Sequence, residues 1–404
     1  MKNNIRSFAI WTYLTAFRLI FMIMNMFPVK RKVTFIVSFG DNAIYLYEEL
    51  KRQQISCEVV FLFNKSCKYN FSKYEDAKAI PLNTANLMQL AKSIYHIATS
   101  KTIIIDNYYA FLSVIHFKKE VKCIQVWHAA GAFKKFGLHD HSLKMRTNRD
   151  IKRFKNVYKR FHYVAIGSDI MGNIFMEAFG LSPNQLLYTG IPRTDIFYDE
   201  KRKMDIMQKL LREYPDLRHK KRILYAPTFR DEQLDLFEFK LNLDLMKQKL
   251  GKDYIVMLRL HPAIKHKLDM ESKYHDFVVD LSTYHNVNEL LMITDILITD
   301  YSSIPFEYAL LKRPMIFYAY DLEAYGQERG LWYDYKEMIP GPVVSSTEDI
   351  IEQILNNSYD MQRIEQFSND WNKYSVGSSS SQLIRYIRPT LETEERSPNY
   401  PESV

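Results

Sequence analysis

The sequence predicts an α/β protein made of two parallel-sheet units that face each other across a cleft. Three observations carry this. Short apolar runs rich in β-branched and aromatic residues alternate with helical patterns along most of the chain, the mark of parallel α/β sheets. The 404 residues exceed one ordinary domain and suit two units of about 150–190 residues each. A highly charged stretch without strand character, Glu200–Arg222, separates the two sets of strands.

The chain opens on Phe8–Phe27, almost wholly apolar but with Arg18 at its centre. An arginine in mid-bilayer costs about 2.5–3.5 kcal/mol on insertion scales, which disfavours a spanning helix. At about 100° per residue, Ser7, Thr15, Arg18 and Asn25 share one narrow polar stripe. Lys2 and Arg6 flank the stretch on one side, and Lys30, Arg31 and Lys32 on the other. No small-residue cleavage site follows, which argues against a removable signal peptide. The expectation for residues 1–31 is an amphipathic helix lying on an anionic membrane face. Packing on the protein itself and a true span are the alternatives.

The first unit, residues 32–200, begins with a buried strand at Lys32–Phe39 that turns at Gly40-Asp41-Asn42 into a helix through about Gln53. It lacks GxGxxG, so no dinucleotide fingerprint is supported. Strands follow at Cys57–Phe63, Thr102–Asp106, Lys122–His128, Tyr163–Ile166 and Gln185–Tyr188, with a helix near Ala85–Thr99. The second unit, residues 201–387, repeats the pattern. Its strands are expected at Arg222–Ala226, Tyr254–Leu260, Phe277–Asp280, Ile296–Thr299, Met315–Tyr318 and near Pro342–Val344, with C-terminal helices over Thr347–Ile387. Residues 388–404 are polar with three prolines and are expected to lack fixed structure.

A net charge of +8 and a pI near 9.0 point to an anionic partner: nucleic acid, a phospholipid surface or a phosphorylated substrate. No helix-turn-helix, RNP, KH or zinc-finger pattern supports nucleic acid. Lys118–Arg160 carries thirteen Lys/Arg against three Asp/Glu, which favours an anionic lipid surface. The three cysteines (Cys57, Cys67 and Cys123) show neither CxxC nor metal-ligand spacing, so no structural zinc or disulfide framework is expected.

Ligands of open α/β sheets bind at the carboxyl ends of strands. Here those ends hold Trp127-His128-Ala129-Ala130-Gly131, Gly190-Ile191-Pro192-Arg193, Tyr225-Ala226-Pro227-Thr228, Arg259-Leu260-His261-Pro262 and Asp300-Tyr301-Ser302-Ser303. Neutral histidine takes a proton near pH 7, and arginine gives bidentate phosphate recognition. The strand–turn–helix at Ile298–Leu311 offers a phosphate socket from helix N–H groups and two hydroxyls. Each residue also has a structural explanation by itself. Ser302 or Ser303 can be only a helix cap, with Glu307 balancing the helix dipole. Arg193 can pair with Asp195, Arg259 can be a sheet-edge charge, and either histidine can be a satisfied hydrogen-bonding residue. Five polar strand ends together are harder to ascribe to packing.

The ordered motifs WHAAGAFKKFG (Trp127–Gly137), GSD (Gly167–Asp169), TGIPRTD (Thr189–Asp195), YAPTFRD (Tyr225–Asp231), RLHP (Arg259–Pro262) and TDYSS-x-x-FEY (Thr299–Tyr308) resemble the CDP-glycerol glycerophosphotransferases of wall teichoic acid synthesis. So does KRPMIFYAYDLEAYGQERGLWYDY (Lys312–Tyr335). HAAGAFK (His128–Lys134), in place of HGTPLK, is most similar to the primases of that family. The resemblance implies a GT-B-like fold: an acceptor-side Rossmann-like unit over residues 32–200 and a CDP-glycerol unit over 201–387. It implies peripheral attachment to the cytoplasmic face of a bacterial membrane, and an undecaprenyl-diphosphate-linked disaccharide as acceptor. No cofactor or metal is implied, and a homo-oligomer is compatible with it. The family's donor site falls on Trp127–Gly131, Arg193, Pro227, Thr228, Arg259, Leu260, His261, Asp300, Ser302 and Ser303. Glu307 stands where the family commonly has Asp. In the mechanism this implies, His128 is the base, while His261, Arg259, Arg193 and the Ser302–Ser303 turn hold the diphosphate. The two histidines can exchange roles.

Overall fold

In a computed structural model of the protein, residues 2–82, 85–228, 230, 239–260 and 273–392 are described. The first half holds β1 (Lys30–Val37), β2 (Glu58–Phe63), β3 (Ala77–Pro81), β4 (Ser100–Ile105), β5 (Lys122–Gln125), β6 (Tyr163–Ala165) and β7 (Leu186–Leu187). Its helices are α1 (Lys2–Met24), α2 (Asp41–Arg52), α3 (Leu87–Ala98), α4 (Asn148–Tyr158) and α5 (Asp169–Phe179). The second half holds β8 (Lys221–Ala226), β9 (Tyr254–Leu258), β10 (Val278–Asp280), β11 (Ile296–Thr299), β12 (Met315–Tyr318) and β13 (Val343–Val344). Its helices are α6 (Glu200–Glu213), α7 (Leu243–Leu250), α8 (Val287–Ile293), α9 (Ile304–Tyr308), α10 (Leu322–Arg329), α11 (Tyr335–Met338), α12 (Thr347–Asn356), α13 (Met361–Trp371) and α14 (Ser379–Glu392).

All strands pair in parallel, in the orders β3-β2-β1-β4-β5-β6-β7 and β10-β9-β8-β11-β12-β13. Counted from its own first strand, the second sheet repeats the winding of the first six strands of the other. Both are doubly wound, so each has a switch point where the winding reverses, between β1 and β4 and between β8 and β11. This is the pair of Rossmann-like units expected of a GT-B-like fold. The continuous apolar runs of β1, β4 and β8 follow from burial on both faces of a parallel sheet.

Four features differ from the sequence-based expectation. β3 carries no clear strand signal, because AKAIP is a half-exposed edge with a terminal proline. α14 packs on α2 and β4 of the first half, because its apolar stripe Leu383, Ile384, Ile387 and Leu391 completes the core beneath the first sheet. The same stripe carries the helix beyond residue 387 to Glu392, and residues 393–404 lie outside the described residues. Lys32, read as a flank for membrane, is instead fully buried in β1. Its Nζ donates to Thr99 Oγ1 at 2.6 Å and lies 3.2 Å from His96 Nδ1.

The helix α1 is apolar on two sides. Its inner face, Leu14, Phe17 and Phe21, is buried, with Phe17 stacked on Phe111 at 4.6 Å. Its outer face, including Ile5, Phe8, Trp11, Leu19 and Met22, is more than half exposed. The segment Ile5–Met24 is long and apolar enough to cross a membrane by length and composition alone.

Candidate active site

Both switch points are built alike. After β4, Asp106 accepts the backbone N–H groups of Ser38, Phe39 and Gly40, each at 2.9 Å, folding the loop that leaves β1. After β11, Asp300 accepts the N–H of Thr228 at 2.7 Å, holding the loop that leaves β8. The second Asp300 oxygen takes Arg230 at 2.7 Å, and Arg230 also pairs with Asp321 at 2.9 Å beneath the Tyr301 and Tyr325 rings. Asp106 and Arg230 were missed in the strand-end reading. Each has a signal in retrospect: Asp106 ends a buried strand, and Arg230 lies inside YAPTFRD.

His128 sits in the loop after β5, stacked between Phe39 at 4.2 Å and Trp127 at 4.3 Å. Its Nδ1 lies 3.1 Å from the Asp106 carbonyl. A carbonyl can only accept, so Nδ1 carries the proton and Nε2 keeps a lone pair. Burial drives the ring pKa down to about 4, with Arg193 pushing the same way and the Asp106 carbonyl opposing. The imidazole is therefore neutral at physiological pH.

The residue before it is held in an uncommon backbone state. Trp127 has φ +55°, a left-handed conformation that costs a bulky residue on the order of 1–3 kcal/mol. Gln125 Oε1 accepts the Trp127 N–H at 2.8 Å, and Asn42 Nδ2 donates to the carbonyls of Val126 and Trp127 at 3.1 and 2.9 Å. Asn42 Oδ1 in turn accepts the Arg193 N–H at 2.9 Å. One buried side chain at the start of α2 thus fixes both the histidine turn and the Gly190–Arg193 turn. Nothing in Gly-Asp-Asn marks it for this, because its partners are about 84 and 151 residues away.

Arg193 and Glu307 meet across the two halves. Arg193 Nε donates to Glu307 Oε1 at 2.7 Å, and Nη2 to the same oxygen, with both side chains buried. Burial works against the guanidinium charge, but Glu307 and then Asp41, 3.9 Å away, more than offset it. Burial pulls the Glu307 carboxyl upward, with Arg193 pulling it back. Arg193 thus pairs with Glu307 rather than with Asp195, the structural alternative, and it is not among the residues lining the cavity beside His128. Asp195 instead accepts the N–H groups of Ser379 and Ser380.

Close approach explains Gly131. A Cβ there would lie 2.3 Å from the Phe306 ring, so only glycine lets this loop meet α9. Next to it, the Phe133–Lys135 segment pairs with Gly330–Trp332 through Lys135 N to Gly330 O at 3.0 Å and Trp332 N to Phe133 O at 2.9 Å. The result is a cavity of about 560 Å³ between the halves. Trp127, His128, Ala129, Gly131, Lys134 and Lys135 line one side, and Tyr301, Ser303, Glu328 and Arg329 the other.

The remaining expected residues that the structure describes are not among those lining this cavity. Ala130 is fully buried. The Ser302 hydroxyl accepts the Ile304 N–H at 3.1 Å, and Pro305 has none to offer, so the helix start is a poorer phosphate socket than expected. α9 is also short, ending at Tyr308 and continuing as a 3₁₀ turn rather than as helix through Leu311. Pro227 and Thr228 follow β8, and the Thr228 Oγ1 is buried with no partner among the described residues. Arg259 donates through Nη1 to the Ser282 carbonyl, and its Nε has no partner among the described residues. Leu260 is buried, its N–H held by Ser282 Oγ at 2.9 Å. His261 lies outside the described residues.

Residues 19–388 match the family of CDP-glycerol:poly(glycerophosphate) glycerophosphotransferases. The chain belongs to that family. It is 39% identical over 385 residues to the teichoic acid glycerol-phosphate primase of Bacillus subtilis (strain 168), covering 95% of this chain and 98% of that one. It is 36% identical over 386 residues to the teichoic acid ribitol-phosphate primase of Bacillus spizizenii, covering 93% and 95%. A solved structure of the wall teichoic acid polymerase TagF is 25% identical with a TM-score of 0.77, covering 97% of this chain and 98% of that one. The protein is therefore a transferase of wall teichoic acid biosynthesis, with the GT-B-like fold.

Proposed function

We propose that the protein is a teichoic acid glycerol-phosphate primase. It takes one sn-glycerol 3-phosphate from CDP-glycerol and adds it to an amino-sugar disaccharide on undecaprenyl diphosphate, releasing CMP. The observation that carries this is the neutral His128, with Nδ1 committed to the Asp106 carbonyl and Nε2 left for the cavity between the halves. Such a ring accepts the proton of an attacking hydroxyl. The acceptor oxygen forms a bond to the phosphorus that bears glycerol, the bond from that phosphorus to the CMP oxygen breaks, and the proton passes to Nε2. Lys134 and Lys135 bring positive charge to the cavity, where a diphosphate carries its negative charge, while Arg329 there is paired with Glu328 at 3.1 Å. Thr228 and Arg259 keep polar atoms for the donor, and His261 is assigned to the same diphosphate by its motif.

The arrangement of α1 supports work at the cytoplasmic face of the membrane. Its inner face is held by protein and its outer apolar face is open, as in a helix lying in the interface plane. In this reading residues 1–31 are the anchor, 32–200 the acceptor side and 201–387 the donor side, with α14 strapped across the first.

The test is a mass-spectrometric product assay with purified protein, CDP-glycerol and a short-chain lipid-diphosphate disaccharide. One added glycerophosphate is expected, and it is absent from His128→Ala. A ladder of additions would make the protein a polymerase. The ribitol-phosphate primase likeness makes CDP-ribitol the control donor, and product from it alone would overturn the donor assignment.

A further inference from the structure

The polar stripe of α1 has no part in the transfer step, and it does not lie on the exposed apolar face of the helix. Ser7, Thr15 and Arg18 line a separate cavity of about 720 Å³, floored by Ser113 and Val114 and closed by α4. Four cations border it, Arg18, Arg149, Lys152 and Arg153, against one carboxylate, Asp150. That carboxylate is already paired with Arg153 at 2.6 Å. Among the described residues no carboxylate pairs with Arg18, Arg149 or Lys152. The N–H of Asp150 at the start of α4 is taken by the Thr147 cap, so the positive field comes from side chains rather than from the helix end.

Two neighbours say what such a cavity holds. Trp11 belongs both to its lining and to the outer apolar face of α1, so the basic cavity adjoins that exposed apolar surface. On the other side, Met145 lines the active cavity and Thr147 the basic one. Those walls are two residues apart along the chain, at most about 7 Å. A ligand that fits must carry concentrated negative charge, a long apolar chain on one side and a polar group reaching toward His128 on the other.

We infer that the cavity between α1 and α4 is the subsite for the diphosphate of the membrane-borne acceptor. Arg18, Arg149 and Lys152 hold the diphosphate, the lipid chain leaves along the outer face of α1, and the sugars pass the Met145–Thr147 segment toward His128. The acceptor's identity rests on the function proposed above. The electrostatic site itself does not.

The experiment measures affinity without any donor present. The full-length protein is titrated with a water-soluble short-chain isoprenyl-diphosphate disaccharide, and in parallel with an alkyl glycoside of the same disaccharide that lacks phosphate. Arg18→Gln combined with Arg149→Gln and Lys152→Gln is expected to weaken the diphosphate ligand by roughly tenfold or more, given the strength of charge-assisted phosphate contacts. The phosphate-free glycoside should bind the variant as it binds the parent. The charge-preserving Arg18→Lys in the otherwise unchanged chain should retain most of the affinity, which separates charge from misfolding. Unchanged diphosphate affinity in the triple variant overturns the inference. Equal weakening of both ligands also overturns it, as does loss of binding to anionic vesicles with acceptor affinity intact, which would assign the cavity to bulk phospholipid. If the parent binds the diphosphate ligand but yields no product with CDP-glycerol, the proposed function fails while the subsite stands. Normal turnover with unmoved affinities gives the reverse.

Discussion

Glu307→Gln tests whether Arg193 serves as a clasp between the halves or as a phosphate ligand. The substitution keeps the shape and leaves an acceptor for Arg193, but it removes the charge facing a guanidinium that is only 8% exposed. Arginine cannot shed its proton, so the buried cation loses its main counter-charge. Breaking a buried pair from one side costs about 3–5 kcal/mol. The low end applies, because the glutamine oxygen still accepts and Asp41 remains 3.9 Å from Nη1. We expect about 3 kcal/mol, or a fall of on the order of 1 M in the urea midpoint at a slope of about 3 kcal/mol/M. The reciprocal Arg193→Gln should cost less. The carboxyl it strands is already pulled upward by burial and can neutralise itself with a proton. The assay is urea unfolding of both variants, followed by tryptophan fluorescence, beside steady-state kinetics. Arg193→Gln that raises the KM for CDP-glycerol at unchanged stability, together with a Glu307→Gln midpoint near the parent's, would refute the clasp and restore the phosphate role.

Two further outcomes follow from the histidine turn. Asn42→Ala removes both donors to the Val126 and Trp127 carbonyls and the acceptor for the Arg193 N–H, so kcat should fall by roughly 10–100-fold with little change in KM; an unchanged kcat in a folded variant refutes the positioning role. Because the folded His128 pKa is lowered to about 4, the base is lost only as pH falls toward that value, so the acid limb of kcat/KM should lie well below 6.5, the ordinary value for histidine. His96 is lowered to about 4 as well. The unfolded chain then binds more protons than the folded one below about pH 6.5, and stability should decline from there toward pH 4. A flat stability profile across that window refutes the assignment of both rings as neutral.

Much of the fold is legible in the residues because the information is local. Runs such as Phe35-Ile36-Val37 and Ile103-Ile104-Ile105 can only be strands buried on both faces, and most of the expected strands appear within a few residues of their places. β3 is the exception, an edge whose half-exposed residues show no alternation. The turn residues at the strand ends were legible for a similar reason. The winding rule puts strand ends together, so Trp127, His128, Ala129, Gly131 and Ser303 could be named before their shared cavity was visible.

The chain's residue order alone announces two parallel α/β units, a basic apolar-edged start and a histidine at a strand end, because each follows from period, charge or turn chemistry over a dozen residues. Tertiary structure alone decides that Arg193 spends its charge on Glu307, that Asn42 sets the Trp127 backbone, that α14 returns to the first sheet, and that the stripe on α1 faces a basic cavity. Each of these joins groups far apart along the chain, and a local pattern carries no record of which distant charge or carbonyl will be buried beside it. Packing makes that choice, because each buried polar group left without a partner costs about 1–3 kcal/mol.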